Sequence, residues 1–514
     1  MFFADKFQEL QSTQPERVAI TFKTKETTYD QLVNHSWQVA NGLLELGAAR
    51  QERIAHLAKN SPEFFEIFIG ASASAHATAG INWRLAGPEI LQILNSTENS
   101  VLFVGQDFYK TIESIEDGLT HIKHIIALEG GHPRWTDYTS WRDQQSSTRP
   151  DVALEADDDI LQLYTSGTTG LPKGVQLTNE GYVNAFQAFV DNDILAVEPT
   201  AVFINVMPLF HVGGINLTVM PMLRGAHVHL LEEFDATHVL DTLTNEKITH
   251  SLFVPAMIQM LLQEPRVRER DYSQLQYLYY GASPISESVL LEAGEVFGCD
   301  FMQLYGATEN YGIITKLAPE DHAPGRNLLR SCGKPVAGST VKIVDENGDT
   351  LPNGEVGEIL LQSSWILKSY WKNPAATEEV KAGGWYHTGD AAYLNDEGFM
   401  FIKDRVKDMI ITGGENVFPA EVENAVHSHE DILDVAVIGV PDTKWGEAIK
   451  ACVVLRPGVE LSEEAIIAYT RTQIASYKTP KSIDFIAELP RNPSGKILRR
   501  ELRAPYWEGQ TRKV

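Results

Sequence analysis

The first two thirds of the chain alternate short apolar runs with longer amphipathic segments. Short buried strands are predicted at residues 53–57 and 102–104, and four more at 204–206, 228–231, 251–254 and 278–280. A helix is predicted from Thr28 to Leu46, with Asp30 as its N-cap, and another over residues 62–71. Strands that alternate with helices form mostly parallel sheets covered by helices, so this pattern predicts an α/β fold.

The last third of the chain shows two different patterns. Between residues 341 and 401, short strands are separated by the turn dipeptides Asn347-Gly348, Asn353-Gly354 and Glu397-Gly398, which predicts a β-rich subdomain. After residue 405 the pattern becomes α+β, with helices at 419–427 and 462–475 and strands at 434–439 and 450–455. We predict a large N-terminal domain, residues 1–404, whose β-rich subdomain covers about 335–404, and a small, mobile α+β C-terminal domain, residues 405–514.

Composition excludes several functions. The formal net charge of −26 over 514 residues argues against nonspecific binding of nucleic acid, which requires a basic surface. The three cysteines (Cys299, Cys332 and Cys452) are widely spaced, which favours reduced thiols in a cytoplasmic protein. The N-terminus shows no secretory pattern, and the most apolar long stretch, residues 202–223, is interrupted by polar residues, proline and glycine. No membrane span is therefore expected.

The segment from Tyr164 to Gly174 carries most of the chemical information. Its sequence is Tyr-Thr-Ser-Gly-Thr-Thr-Gly-Leu-Pro-Lys-Gly. Glycines allow consecutive backbone N–H groups to face one concavity, while the hydroxyls and Lys173 add donors and a cation, so the segment suits a polyphosphate. It is not a Walker A loop, because that motif requires Gly-Lys-Ser/Thr and Lys173 lies between Pro172 and Gly174. A flexible surface loop is the alternative.

Two motifs in the middle of the chain supply further polar side chains. In Tyr305-Gly306-Ala307-Thr308-Glu309, the tyrosine can stack on a purine, the threonine can reach a phosphate, and the glutamate offers a hard oxygen to Mg²⁺. Asp390 follows a glycine, where its carboxylate can accept two hydrogen bonds from a ribose diol. A surface glutamate and an Asx-turn aspartate are the structural alternatives.

Three further motifs contribute cations, glycines and an apolar wall. Arg405 can bind ribose or phosphate with two hydrogen bonds, and Gly413-Gly414 permits close approach of a slim ligand. Lys496 lies in a polar loop and becomes chemically important only if that loop covers a nucleotide. The run Met207–Gly214 can line a pocket for an apolar acid, although a lone histidine such as His211 is more often a core residue than a catalyst.

Together these motifs resemble the acyl-adenylate-forming superfamily, which includes acyl- and aryl-CoA synthetases, luciferases and the adenylation domains of peptide synthetases. The resemblance extends from about Phe7 to Arg500, and the motifs occur in the family's order. It implies a reaction in two steps: a carboxylate attacks the α-phosphorus of Mg·ATP, and then a thiol, usually that of CoA, displaces AMP. ATP, Mg²⁺ and coenzyme A are the cofactors that the resemblance implies.

The resemblance also implies roles for individual residues at the nucleotide. The β- and γ-phosphates would be held by Thr165, Ser166, Gly167, Thr168, Thr169, Gly170 and Lys173. Adenine would be framed by Gly281, Ala282, Ser283, Tyr305 and Gly306, and ribose would be bound by Asp390 and Arg405. Glu309, with Thr165, would hold Mg²⁺, and Thr308 would touch the α-phosphate.

Further roles concern the second step and the acid. Lys496 would bridge the carboxylate and the α-phosphate during adenylation, and the C-terminal domain would then rotate about a hinge at Lys407. Coenzyme A would lie near Gly413, Gly414, Glu415, Trp445 and Lys478. The acid pocket would be lined by Phe210, His211, Val212, Gly213, Gly214, Tyr280, Asn310, Tyr311 and Gly312. No covalent nucleophile is expected.

These implications predict an AMP-forming acyl-CoA synthetase for a hydrophobic carboxylic acid, with a medium- or long-chain fatty acid as the first choice. The candidate pocket contains no lysine or arginine, which disfavours a dicarboxylic acid. An aryl acid such as a benzoate or cinnamate is the alternative substrate, and loading of a carrier protein is the alternative reaction. A homodimer is also considered. Ser363 and Ser369 stand where the family commonly has glycine, and neither is expected to touch a catalytic group.

Overall fold

The computed structural model describes residues 2–165, 172–198, 200–283, 285–323, 325–405, 408–412, 415–442, 444–491 and 497–508, with the backbone alone at 404, 405, 415 and 416. The α-helices are α1 Phe3–Thr13, α2 Tyr29–Glu45, α3 Glu63–Ala73, α4 Gly87–Thr97, α5 Tyr109–Ile115, α6 Tyr138–Asp143, α7 Asn179–Asp191, α8 Val212–Met222, α9 Ala236–Asn245, α10 Pro255–Gln263, α11 Glu287–Phe297, α12 Pro374–Val380, α13 Pro419–His427, α14 Glu463–Gln473 and α15 Arg499–Trp507.

The strands are β1 Val18–Phe22, β2 Lys25–Thr28, β3 Arg53–Leu57, β4 Ala77–Gly80, β5 Val101–Val104, β6 His124–Ala127, β7 Thr136–Asp137, β8 Asp159–Thr165, β9 Lys173–Thr178, β10 Val202–Asn205, β11 His227–Leu230, β12 His250–Phe253, β13 Tyr277–Gly281, β14 Asp300–Tyr305, β15 Thr315–Leu317, β16 Lys334–Pro335, β17 Ser339–Val344, β18 Gly357–Ser363, β19 Tyr386–Leu394, β20 Met400–Arg405, β21 Ile410–Thr412, β22 Glu415–Val417, β23 Ile432–Asp442, β24 Gly446–Leu455 and β25 Ser482–Phe485.

Two large, mostly parallel sheets dominate the N-terminal part of the described chain. One has the strand order β7-β6-β5-β3-β4-β8-β9, and the other has the order β16-β15-β14-β13-β12-β10-β11-β1-β2. Every residue of β3, β4 and β5 is buried, as expected for strands covered by helices on both faces. The predicted α/β fold with mostly parallel sheets is therefore confirmed.

Two smaller sheets follow. Strands β17, β18, β19 and β20 form an antiparallel sheet in chain order, where the turn dipeptides predict hairpins. The C-terminal sheet has the order β22-β21-β24-β23, with β25 beside β24, and α13 and α14 pack with it. The exact boundary between the domains and the hinge position stay predictions.

The predicted elements match the observed ones with one correction at a helix start. Helix α2 begins at Tyr29, and its N-cap is Thr28, whose hydroxyl accepts a hydrogen bond from the backbone N–H of Gln31. Asp30 is therefore not the N-cap; it lies inside the first turn. The Gln31 side chain in turn accepts from the Thr28 backbone N–H, and this reciprocal capping box selects threonine over aspartate. No helix in the described ranges is long and apolar enough to cross a membrane.

Candidate functional site

The predicted phosphate-binding segment connects two antiparallel strands. Thr165, the last residue of β8, is paired with Lys173, the first residue of β9, so the two side chains flank the mouth of the loop. Residues 166–171, which include Ser166, Gly167, Thr168, Thr169 and Gly170, lie outside the described residues. The hairpin thus holds a hydroxyl and an ammonium group at the two ends of the loop.

A buried polar network, formed by Arg53 of β3 with Asp159 and Gln162 of β8, supports this hairpin. The guanidinium of Arg53 forms an ion pair with Asp159 and donates to Gln162 Oε1 at 2.9 Å. Its planar face lies 3.7 Å from the ring centroid of Trp371. Burial lowers the pKa of Arg53, and the neighbouring Asp159 carboxylate opposes that shift. Because Asp159 and Gln162 belong to β8, the network fixes the strand that leads into the loop.

The predicted adenine-binding residues lie where two parallel strands end. Strands β13 and β14 are neighbours, with Gly281 in register with Leu304. A Cβ at Gly281 would lie 2.1 Å from the Leu304 carbonyl oxygen, so only glycine permits this approach of the two strands. Ala282 has a positive φ of 66°, which turns the chain sharply after the strand. The carboxyl ends of parallel strands are the usual ligand-binding edge of an α/β sheet.

A direct hydrogen bond connects the predicted adenine and ribose residues. The Tyr305 hydroxyl donates to Asp390 Oδ2 at 2.6 Å, although the two residues are 85 positions apart. Burial, followed by the Asp390 charge, raises the pKa of Tyr305, so its phenol stays a donor. Asp390 in β19 is the cross-strand partner of Arg405 in β20, whose side chain is outside the described atoms. The small antiparallel sheet therefore brings the Asp390 carboxylate to the edge of the large sheet that contains β14.

Glu309 lies in a short 3-10 turn, Thr308–Asn310, directly after β14. Glu309 is only 8% exposed, and its Oε1 accepts a hydrogen bond from the Tyr370 hydroxyl at 2.8 Å. The described residues contain no group of three or more histidine, cysteine, aspartate or glutamate side chains that could hold a metal. One carboxylate and a threonine hydroxyl nevertheless fit Mg²⁺, which typically binds one or two carboxylates together with substrate phosphates and water.

The predicted acid pocket begins at helix α8. His211 is its N-cap residue, and burial, assisted by the positive charge of Arg84, lowers the pKa of His211 to about 4. Within the described part of the chain, His211 Nε2 is buried without a hydrogen-bond partner. A Cβ at Gly214 would lie 2.3 Å from the Pro208 carbonyl oxygen, whereas a Cβ at Gly213 would meet no atom within 4 Å. Gly213 therefore faces open space.

The remaining predicted acid-binding residues are more deeply buried. The Tyr280 hydroxyl forms a hydrogen bond with His322 Nε2 at 2.9 Å, and the Tyr311 hydroxyl oxygen accepts a hydrogen bond from the Thr178 backbone N–H at 2.8 Å. Both tyrosines have no exposed surface, so their hydroxyls serve the packing of the described structure. Asn310 is also fully buried, and its Nδ2 has no partner among the described residues. Gly312 follows Tyr311 and has a positive φ of 86°.

The C-terminal residues predicted to lie near coenzyme A are on strands and turns of the last sheet. Trp445 is 43% exposed, and Tyr477 is exposed to the same extent. Lys478 forms an ion pair with Glu421, with 2.7 Å between Nζ and Oε1. Gly413, Gly414, Lys407 and Lys496 lie outside the described residues, and Glu415 is described by its backbone alone.

Sequence reasoning missed two residues that touch the predicted groups. Tyr370 contacts Glu309, and Arg53 supports the loop hairpin. Tyr370 lies beside Ser369, which the sequence had singled out only as a departure from the family's glycine. A signal was present, because an aromatic pair, Tyr370-Trp371, follows a polar residue in an otherwise strand-poor segment.

Comparison with known proteins gives extensive similarity. Residues 7–371 match the family described as AMP-binding enzyme, and residues 421–496 match the AMP-binding enzyme C-terminal domain. The chain is 37% identical over 504 residues to the fatty acid–[acyl-carrier-protein] ligase ScoC of Streptomyces coeruleorubidus. The aligned region covers 98% of this chain and 96% of the relative. It is 34% identical over 482 residues to the long-chain-fatty-acid–CoA ligase FadD13 of Mycobacterium tuberculosis, covering 93% of each chain.

Solved structures give the same result. The crystal structure of the anthranilate CoA ligase AuaEII in complex with anthranoyl-AMP superposes with a TM-score of 0.91 at 30% sequence identity. The superposition covers 98% of this chain and 97% of the other. Relatives and structures together therefore include ligases for both aliphatic and aryl acids.

Proposed function

Because the chain belongs to the AMP-binding enzyme family and is an AMP-forming acid–thiol ligase, we propose that it joins a medium- or long-chain fatty acid to coenzyme A through an acyl-adenylate. The observation that carries the proposed nucleotide site is the 2.6 Å hydrogen bond from Tyr305 to Asp390. It brings a ring suited to stacking on adenine and a carboxylate suited to a ribose diol to one edge of the sheet.

In the first step, a carboxylate oxygen of the acid attacks the α-phosphorus of ATP and pyrophosphate leaves. Two anions must approach each other, so the main task of the protein is to supply positioned cations and donors. We assign Lys173, Thr165 and the intervening loop to the departing phosphates, and Lys496 to the attacking carboxylate and the α-phosphate. Glu309 and Thr165 would hold Mg²⁺, which supplies neutralisation of phosphate charge when bound.

In the second step, the thiol sulfur attacks the carbonyl carbon of the acyl-adenylate, a thioester forms and AMP leaves. Exposed Trp445 offers a flat apolar surface on which the adenine of coenzyme A could stack. We assign Lys478, whose ammonium is held by an ion pair with Glu421, to a phosphate of coenzyme A. Rotation of the C-terminal domain about Lys407 between the two steps, a cytoplasmic location and a homodimer stay predictions.

The candidate acid pocket supports an apolar acid with few polar groups. Burial keeps His211 neutral at neutral pH, because its pKa is lowered to about 4. His211 Nε2 and Asn310 Nδ2, both buried without partners among the described residues, are polar atoms that the carboxylate end of a substrate could satisfy. Gly213, in the first turn of the helix that His211 caps, leaves room for an apolar chain or ring, because an added Cβ there would meet no neighbour within 4 Å.

A second candidate reaction is transfer of the acyl group to an acyl carrier protein instead of free coenzyme A. The supporting observation is the 37% identity to a fatty acid–[acyl-carrier-protein] ligase over 98% of this chain. The exposed aromatic side chains of Trp445 and Tyr477 suit either thiol, because both thiols are carried on a phosphopantetheine arm.

The substrate is tested by measuring AMP release with fatty acids from acetate to stearate and with simple aryl acids. Each acid is offered with coenzyme A in one arm and with a phosphopantetheinylated acyl carrier protein in the other. We expect the highest kcat/KM for a medium- or long-chain acid with coenzyme A. A preference for an aryl acid would overturn the choice of acid, and thiolation of the carrier protein alone would overturn the choice of thiol.

The role of Lys496 is tested by separating the half-reactions. Lys496→Ala should slow formation of the acyl-adenylate by about a hundredfold or more, because a positioned cation is lost, while thioester formation from supplied acyl-adenylate stays near the wild-type rate. Lys481→Ala, which removes an exposed lysine of the same domain, is the matched control and should leave both rates unchanged. Equal loss in both half-reactions would contradict the division of labour.

A further inference from the structure

A short segment of chain, residues 367–371, connects the phosphate-loop hairpin with the turn that carries Glu309. The backbone N–H of Leu367 donates to the Glu309 carbonyl oxygen at 2.6 Å. Gln176 of β9 accepts from the N–H of Lys368 and donates its own N–H to the Ser369 carbonyl, each at 3.0 Å. The segment is therefore hydrogen-bonded to both parts of the proposed nucleotide site at once.

The same segment is anchored by side chains. The Ser369 hydroxyl donates to Gln176 Oε1 at 2.6 Å, a contact that the glycine common at this position in the family cannot make. The indole Nε1–H of Trp371 donates to the Ser96 carbonyl oxygen at 2.9 Å, and the Trp371 ring lies against the Arg53 guanidinium. The Trp371 backbone N–H donates to the Gly174 carbonyl oxygen at 2.7 Å. These contacts fix the backbone on both sides of Tyr370.

The Tyr370 side chain contacts two groups that the proposed function places on the nucleotide. The residue is only 5% exposed. Its hydroxyl donates to Glu309 Oε1 at 2.8 Å, and the Lys173 ammonium lies 4.9 Å from its ring centroid, within the range of a cation–π interaction. The Tyr370 side chain therefore restrains the Glu309 carboxylate with its hydroxyl and the Lys173 ammonium with the face of its ring.

The fully buried Tyr29 uses its hydroxyl differently. The Tyr29 hydroxyl donates to the carbonyl oxygens of Met222 and Ala226, which satisfies a core phenol with backbone acceptors. The Tyr370 hydroxyl instead bonds a carboxylate that is almost completely buried. An ionised carboxylate that accepts one hydrogen bond keeps further lone pairs, so Glu309 can still bind a cation while Tyr370 fixes its orientation.

We propose that Tyr370 is a positioning residue of the nucleotide site, which orients Glu309 toward Mg²⁺ and holds Lys173 toward the phosphates. The inference rests on the proposed function, since it takes Glu309 as the Mg²⁺ ligand. Tyr370 does not touch the reacting atoms in this proposal. It acts by reducing the number of orientations available to the two side chains before ATP binds.

The test measures ATP binding by titration calorimetry, without any acid, in Mg²⁺ and in EDTA. Tyr370→Phe keeps the ring and removes the hydroxyl, so the Kd for ATP in Mg²⁺ should rise about tenfold, while the Kd in EDTA should stay within about twofold. Tyr370→Leu also removes the ring face beneath Lys173 and should weaken ATP in both media. Tyr29→Phe, which removes a buried hydroxyl from a core site, is the matched control and should change neither Kd.

A double variant shows whether Tyr370 acts through the carboxylate. In a Glu309→Gln background, Tyr370→Phe should add little to the Kd in Mg²⁺, because the two residues share one contact. An additive loss, or equal weakening in Mg²⁺ and EDTA by Tyr370→Phe, would overturn the positioning role. If wild-type protein binds ATP equally with and without Mg²⁺, the proposed metal site is itself wrong, and this inference fails with it.

Discussion

Lowering the pH from about 7.5 to about 5.5 should destabilise this protein through its buried histidines. Burial lowers the pKa of His56 to about 3 and the pKa values of His211 and His250 to about 4, all from an ordinary value of 6.5. The unfolded chain therefore binds more protons than the folded chain between these values. The contribution of these histidines to the free energy of unfolding is therefore fully present above pH 6.5 and is lost as the pH falls toward their folded pKa values.

The magnitude follows from the size of the shifts. A histidine whose pKa falls from 6.5 to about 4 on folding costs between about 1 and 2 kcal/mol at pH 5.5, and three such residues together cost about 4 kcal/mol. A folded pKa about one unit higher changes this little, because the buried ring is still mostly neutral at that pH. The chosen pH stays above the sequence pI of about 5.0, where low net charge promotes association.

His250→Gln isolates one contribution. His250 is 1% exposed and stacks between Phe203 and Tyr277, with ring centroids 4.5 Å and 5.2 Å away. Its replacement carries a packing cost that is the same at both pH values, so only the difference between the two pH values reports the titration. We expect the pH-dependent fall in the calorimetric unfolding temperature to be smaller than in wild type, by about 2 °C or less per kcal/mol in a chain of this size.

The matched control is His121→Gln, at an exposed site, and it should retain the full wild-type fall. The reasoning is refuted if His250→Gln shows the same loss between the two pH values as wild type. It is also refuted if wild-type protein is as stable at the lower pH as at the higher one, since other groups would then have to offset three buried histidines.

Two further predictions concern packing near the proposed site. Gly181→Ala should destabilise the protein by about 1–3 kcal/mol, because the new Cβ would lie 1.9 Å from the Tyr311 hydroxyl oxygen. Gly294→Ala is the control and should be neutral or stabilising, because Gly294 lies in a helix and no atom lies within 4 Å of the new Cβ. The unfolding temperatures of both variants check this. Arg53→Met should lower stability by about 2–4 kcal/mol, because the buried Asp159 carboxylate loses its guanidinium partner and keeps, among the described residues, only the Lys368 ammonium, 3.6 Å away, as a counter-ion. Adding Asp159→Asn should recover part of the loss. Independent, additive effects in the double variant would contradict a coupled pair.

Secondary structure was predictable where the local pattern was strong. The strand at residues 53–57 and the helix at 419–427 have the predicted bounds, since apolar periodicity and flanking turn or proline residues act over a few positions. The N-cap of α2 was placed two residues late. Thr28 and Asp30 are both good capping residues, and the choice depended on the reciprocal bond with Gln31.

The candidate site was predictable only as separate motifs. Asp390 and Tyr305 were both singled out, yet no local pattern states that their side chains are 2.6 Å apart. Tyr280 and Tyr311 were expected beside the acid, and the structure shows both hydroxyls engaged in buried hydrogen bonds with His322 and Thr178. A tyrosine's partner is set by which elements pack against it, and sequence spacing carries no such information.

By itself, the sequence determined the alternation of strands and helices, the glycine- and hydroxyl-rich segment that ends at Lys173, and the acidic and aromatic motifs that follow it. These depend on local backbone preferences and side-chain chemistry, which act within a few residues. Only the tertiary structure decided that Tyr370 contacts both Glu309 and Lys173, and that Arg53 supports the β8–β9 hairpin to which Lys173 belongs. Such contacts join residues tens to hundreds of positions apart, because the packing of sheets and connecting segments, rather than any local pattern, determines which side chains meet.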